Sequence, residues 1–264
     1  MNIKPKNSEI LNLAIGREIT VYHFDSVTNT NDVAKEMAKE VQGDFVVVAN
    51  AQDEGKGQNG RAFYSPAGKG LYMSLLLRPN KPLSEMLKIT TIAAFATAKS
   101  VEKVSGQMAD IKWVNDIFLR GKKIAGILTE SKTNDKGELD YVVIGIGLNV
   151  LEPEGGYPAD IKDIAGAVYT QNQIINLSVD EQQIQNFEID LINKLMSYYK
   201  DFDKKKYVTQ YKEKCKFLGN DVEVTDANGT RKAKALDIDE NFYLVVEFEN
   251  GEKATLSSAQ IKVL

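Results

Sequence analysis

Cysteine and histidine occur once each in the 264-residue chain, and each scarcity closes off a field of chemistry. Cys215 alone cannot form an internal disulfide; the chain fits a reducing, cytoplasmic compartment, with Cys215 as an inert thiol. His23 alone cannot build a zinc site from several histidines. Any Ser-His-Asp or Cys-His arrangement would have to pass through it, and Val21-Tyr22-His23-Phe24 reads as a packed strand. A net charge of −4 argues against a general nucleic-acid coat. The start, Met1 to Lys6, has no apolar signal-peptide core, and the uncharged run Ile89 to Ala98 is far short of a membrane span. No repeat or low-complexity tract stands out. With 43% apolar and 27% charged residues, a globular chain of one large domain plus a small one is expected.

What is present is patterned. Glu18 to Phe24, Phe45 to Ala49 and Leu71 to Leu77 read as strands. Asp25 to Asp32 is rich in capping residues and precedes Val33, Met37, Ala38 and Val41 at helical spacing. Ser84 to Val104 is a helix stopped by Gly106. Ile111 to Trp113, Ile117 to Leu119, Ile124 to Leu128 and Leu139 to Val150 are strands, the last broken by Gly145 and Gly147, and Arg120-Gly121 is a tight turn. Strands joined this tightly pair antiparallel, which excludes a doubly wound parallel sheet. Ser178-Val179-Asp180-Glu181 reads as a capping box opening a helix through Tyr198. After a lysine-rich connector, Tyr207 to Lys216, short strands with hairpin signals at Asp226 to Gly229 and Asn250-Gly251 predict a small SH3-like β-barrel. The expected division is a domain over 1–214 and the barrel over 215–264.

The chemistry concentrates in three places. Lys112-Trp113-Val114-Asn115-Asp116-Ile117, followed by Lys123, puts two cations, a carboxylate and an amide on a β-hairpin. Gly55-Lys56-Gly57-Gln58-Asn59-Gly60-Arg61 matches G-x-G-x-x-G literally, but Ala62 to Gly70 cannot start the helix a dinucleotide fingerprint needs. What remains is a flexible cationic loop able to reach a phosphate. Thr28 to Asp32 lies at a helix N-terminus, where an oxygen-rich ligand or a plain N-cap at Asn29 or Thr30 both fit. Two unit negative charges 4 Å apart repel by about 4 kcal/mol at an effective dielectric near 20. Lys112, Lys123, Lys56 and Arg61, with Mg²⁺, are the candidates to neutralise that repulsion between a carboxylate and an α-phosphate. Together these groups suggest activation of a carboxylic acid by a nucleotide.

Thr30-Asn31, Gln52, Gly55 to Arg61 with Ser65-Pro66, Lys112 to Ile117, Lys123 to Gly126 and Gly145-Ile146-Gly147-Leu148-Asn149, in this order, resemble the biotin protein ligases. The likeness runs from about residue 20 to the end. It implies an α+β fold with a mixed, mainly antiparallel sheet, as in class II aminoacyl-tRNA synthetases, followed by the barrel. It also implies an ATP-dependent enzyme that makes biotinyl-5′-adenylate from biotin and MgATP and biotinylates one lysine of a biotin carboxyl carrier protein, such as an acetyl-CoA carboxylase subunit.

On that resemblance Thr30 and Gln52 bind the ureido head, and Gly145 and Gly147 leave room for the ring. Asn29, Asn31, Lys112, Trp113 and Gly126 join the substrate site. The loop of Gly55, Lys56, Gly57, Gln58 and Arg61 closes over the biotin carboxylate and the phosphate. Lys123 holds the carboxylate and α-phosphate oxygens, Asn115 and Asn149 lie near the nucleotide, and Asp116 orients the acceptor lysine. No protein-held metal set is assigned.

This chain departs from the family pattern at Lys56 and Gln58, where arginines are usual; at Val114, where proline is usual; and at Asn29, where serine is common. Fewer than twenty residues precede Ile19, so no DNA-binding helix-turn-helix, and no DNA partner, is expected. An exposed sheet edge leaves pairing with the carrier or with a second copy open. The alternatives are a lipoate or octanoate ligase or transferase on the same scaffold, and a non-catalytic binding module.

Overall fold

Phe45-Val46-Val47-Val48-Ala49 is apolar at every position, and both of its faces are covered. The computed structural model describes residues 4–79, 82–135, 137–200, 204–226 and 229–264. In chain order its elements are β1 (Asn7–Asn12), β2 (Glu18–Phe24), α1 (Thr30–Met37), β3 (Phe45–Ala49), β4 (Gly70–Leu77), α2 (Met86–Ser105), β5 (Asp110–Lys112), β6 (Asp116–Leu119), β7 (Lys122–Thr133), β8 (Leu139–Asn149), α3 (Gln171–Leu177), α4 (Gln182–Lys200) and α5 (Lys204–Lys214). Then come β9 (Asp221–Asp226), β10 (Gly229–Ile238), β11 (Leu244–Phe248), β12 (Lys253–Leu256) and β13 (Gln260–Val263).

The first sheet has eight strands in the order β1-β2-β3-β4-β8-β7-β6-β5. Only the β2–β3 pair is parallel; the other pairs are antiparallel, as the tight β5–β6, β6–β7 and β7–β8 connections require of theirs. On one face Phe45, Val47 and Ala49 pack with Val33 and Ala34 of α1. On the other, Val46, Val48, Met73 and Leu75 join Ile89, Ala93, Phe95 and Leu191 from α2 and α4. Fully burying a side chain such as Phe45 contributes about 1.5–3 kcal/mol. Arg120 and Gly121 both take positive φ, the turn conformation anticipated at that β6–β7 connection. Gly106 caps α2 in the left-handed conformation.

The second sheet orders its five strands β12-β11-β10-β9-β13. It shares a hydrophobic core with the first. One core continues from Trp113 and Tyr211 into Val222, Phe242 and Ile261. Trp113 Nε1 donates to Phe242 O at 2.9 Å, and the Tyr211 and Phe242 rings meet edge to face.

Four expectations are corrected. Tyr207 to Lys214 is not a connector but most of helix α5, and Tyr207, Val208 and Tyr211 turn one apolar stripe inward. Ser178 does not open a helix: it closes α3 with positive φ, and the capping box is Thr170 with Gln173, where the same short pattern recurs. Asp180 Oδ1 then accepts from Gln182 N at the start of α4. β8 runs unbroken through Gly145 and Gly147. Strands β1 and β13 are not among the expected elements: β1 is exposed almost throughout and does not alternate, and the alternation of β13 spans only four residues. The hairpin signal at Ala227-Asn228 lies outside the described residues, and no helix among those described is long and apolar enough to cross a membrane.

Candidate functional site

A cavity of about 130 Å³ lies between the N-terminus of α1, the loop 52–65, strands β6 to β8, and β13. It gathers Asn29, Thr30, Asn31, Gln52, Lys56, Gly57, Gln58, Arg61, Asn115, Asp116, Lys123, Gly126, Gly145 and Gly147. Gly55, Lys112, Trp113 and Asn149 stand behind this lining rather than in it.

One end is polar and uncharged. Asn29 is the N-cap of α1, its Oδ1 accepting from Asp32 N at 2.8 Å and its Nδ2 donating to Asp32 Oδ2 at 2.7 Å, so its side chain is committed to the cap. Thr30 N and Oγ1 lie 2.9 and 3.2 Å from Gln52 Oε1, and Gln52 Nε2 donates to Ser65 Oγ at 2.9 Å.

The other end is charged, and strand register builds it. Asp116 pairs across the ladder with Lys112 on one side and Gly126 on the other, which places the Asp116 and Lys112 side chains on one face. A bulge after Ile117 brings Lys123 round, so that its Nζ meets Asp116 Oδ1 at 2.5 Å. Lys122 points elsewhere and donates to Asp163 O at 2.5 Å. Burial pushes the Lys112 ammonium below its usual range; Asp116 opposes the shift, while Lys123 and Arg61 add to it. Asn115 is held against β7, its Nδ2 donating to Ile127 O at 2.6 Å. Asn149 Nδ2 donates to Gly166 O at 2.9 Å, pinning the segment that follows β8.

The glycine-rich loop folds as a hairpin. Gly57 N donates to Arg61 O at 2.7 Å and Phe63 N to Gly55 O at 2.8 Å, around a 3₁₀ turn at Gln58–Gly60. A Cβ on Gly55 would sit 2.3 Å from Phe63 O, which explains the glycine. Lys56 Nζ reaches Asp32 Oδ2 at 2.5 Å, and Arg61 Nη2 donates to Gln260 Oε1 at 2.6 Å. Burial alone would raise the Asp32 pKa, but its bonds to Lys35, Lys56 and Asn29 outweigh that and hold the carboxyl well below the usual range.

Several residues of the site carry no sequence signal. Phe63 lies over the glycine floor, and a Cβ on Gly147 would stand 2.5 Å from its ring. The space above Gly145 is taken by Asn31, whose Oδ1 would lie 2.2 Å from an added Cβ. Buried Ser74 and half-buried Glu130 bond to Asn31, and Gln260 arrives from the second sheet. An aromatic just after a glycine loop was a usable hint for Phe63; the others come from strands with no motif.

The family model described as "Biotin/lipoate A/B protein ligase family" matches residues 21–149. The chain is 32% identical over 239 residues to the bifunctional ligase/repressor BirA of Bacillus subtilis strain 168, spanning 90% of this chain and 72% of that protein. It is 31% identical to the biotin–[acetyl-CoA-carboxylase] ligase of Paracoccus denitrificans over 56% of this chain and 65% of that one. The solved biotin protein ligase of Aquifex aeolicus in complex with biotin and ATP shares the fold, with a TM-score of 0.74 at 23% identity, covering 92% of this chain and 98% of that one. From its motifs, its fold and these relatives, the chain belongs to the biotin protein ligases of the biotin/lipoate A/B protein ligase family.

Proposed function

We propose that this chain is a biotin protein ligase in which one cavity serves both half-reactions. A biotin carboxylate oxygen attacks the α-phosphorus of ATP, expelling pyrophosphate and leaving biotinyl-5′-adenylate. The amine of one lysine on a biotin carboxyl carrier protein then attacks the acyl carbon, expelling AMP and forming the amide.

The observation that carries this reading is the polarity of the cavity: Thr30 and Gln52 at one end, Lys123, Asp116 and Arg61 at the other. The uncharged end suits a ureido head that both donates and accepts. An acyl chain such as lipoate's would displace water from this end and offer Thr30 and Gln52 no hydrogen bond in its place. That argues for biotin over the lipoate alternative. At the charged end Lys123 and Arg61 screen the carboxylate from the phosphate, with Lys112 close behind. Lys56, Gly57 and Gln58 cover the anion from the loop, Gly126 leaves space beside Lys123, and Asn115 and Asn149 order the nucleotide side. Among the described residues Asp116 is the only carboxylate in the lining, and it is already bound to Lys123. That donor set suits a Mg²⁺ ion carried in on the phosphates, supplying charge neutralisation, rather than one caged by protein. As the ammonium of an incoming lysine approaches, Asp116 can accept from it and orient it.

The division of labour follows. Apart from Gln260 the cavity lining comes from the segment before residue 215, and the C-terminal sheet supports the loop through Gln260. Incubation with ATP and biotin, lipoate or octanoate, followed by pyrophosphate release, tests the reading. Release with biotin, and a mass gain of one biotin on a carrier domain, are expected. Release with lipoate and not biotin overturns it.

A further inference from the structure

Behind the Thr30–Gln52 end runs a chain of side chains whose hydrogen bonds have a single polarity. Glu130 takes Lys35 Nζ on one oxygen at 3.1 Å and Asn31 Nδ2 on the other at 2.7 Å. Asn31 Nδ2 also reaches Leu128 O at 3.3 Å, so both of its N–H groups meet acceptors. Asn31 Oδ1 is therefore the atom turned to Ser74, whose hydroxyl donates to it at 2.6 Å. Ser74 has one proton, so toward Thr30 Oγ1, 2.8 Å away, it acts as an acceptor.

The other flank is equally determined. Ser65 donates to Phe63 O at 2.9 Å and accepts from Gln52 Nε2, which leaves Gln52 Oε1 facing Thr30. Both neighbours of the Thr30 hydroxyl are thus acceptors. Its proton is drawn inward, and a lone pair faces the cavity. Ser74 is fully buried, and Thr30 and Asn31 are each 4% exposed, so a mismatched donor here has no water to turn to. Gly145 is part of the device, because any Cβ there would displace Asn31 Oδ1.

We propose that Glu130 and Ser74 are positioning residues that fix the Thr30 hydroxyl as an acceptor, so that the site selects a head group presenting an N–H at that point. This rests on the biotin ligase reading, since the ureido ring supplies such an N–H. Glu130→Gln is nearly isosteric but can offer its own N–H to Asn31. The carboxamide then turns over and Ser74 donates to Thr30, so that only Gln52 Oε1, at 3.2 Å, still draws the threonine proton inward.

The test compares kcat/KM for pyrophosphate release with biotin and with the two cyclic-carbamate analogues, each carrying oxygen in place of one ring N–H. Wild type should reject one regioisomer strongly. In Glu130→Gln that preference should shrink about tenfold while KM for ATP stays within about twofold. Ser74→Ala should shrink it similarly, which covers failure of the first variant to fold. A residue that merely supports the fold would lower both substrates alike, so an unchanged preference in both variants overturns the inference. Wild type that releases no pyrophosphate with biotin overturns the ligase reading and this inference with it.

Discussion

Arg61 of the glycine-rich loop donates to Gln260 of β13 at 2.6 Å, so the two sheets meet at the mouth of the cavity. The bond is exposed and its net contribution is modest, about 1 kcal/mol. Gln260→Ala should leave the melting temperature unchanged and raise KM for ATP about threefold, because Arg61 must then be ordered on binding. Steady-state kinetics with ATP as the varied substrate measures this; an unaltered KM would mean the barrel does not preorganise the loop.

Lys123 and Asp116 form an ion pair within the lining, at 2.5 Å. Lys123→Ala removes a fixed cation at the point where carboxylate and phosphate meet. Adenylate formation should fall by about 10²–10³ in kcat, the scale of losing one preorganised charge stabiliser. Single-turnover quench with labelled ATP reads it. Turnover at the wild-type rate would remove Lys123 from its assigned role.

Gln58 lines the cavity at a position where the family resemblance implies an arginine. One fewer bidentate phosphate donor should let the adenylate leave more readily. Labelling of a bystander protein is expected to drop in Gln58→Arg, and equal labelling by both forms would count against the idea.

Trp113 spans the two sheets through its bond to Phe242 O. Trp113→Phe keeps an aromatic ring but leaves that buried carbonyl without its donor. A loss of about 1–3 kcal/mol is expected by denaturant unfolding. No loss would show that the carbonyl finds another partner.

His23 Nε2 lies 2.9 Å from Glu188 Oε1, and that hydrogen bond raises the histidine pKa above 6.5 against the opposing effect of burial. A raised folded-state pKa gives stability that is fully present below the free value of 6.5 and lost as pH climbs through the folded value. The melting temperature of wild type should therefore exceed that of His23→Gln most at mildly acidic pH, and the gap should narrow on going alkaline. A gap that widens with pH would reverse the assignment of charge.

Where a residue's neighbours along the chain carried the information, the sequence was readable. The all-apolar β3, the Arg120-Gly121 turn and the Gly106 stop follow from local sterics and burial, and the ordered blocks named most of the cavity lining. Helix α5 was hidden because its apolar stripe is only three residues among many lysines. Strand β1 was hidden because an exposed edge needs no apolar alternation. Ser74, Glu130 and Gln260 lay in stretches whose own pattern reports only strand.

The chain alone settled its chemistry class, since a lone histidine and cysteine exclude most nucleophilic and zinc sites, while clustered lysines, an aspartate and a glycine loop point to charge neutralisation around an anion. Folding settled the assignments that depend on partners far apart in the chain. Asn31 and Gly145 are 114 positions apart yet interlock, and Arg61 and Gln260 are 199 apart yet bond. A hydrogen bond's direction depends on which atoms face each other across strands, and that is decided only when the sheet closes and water is excluded.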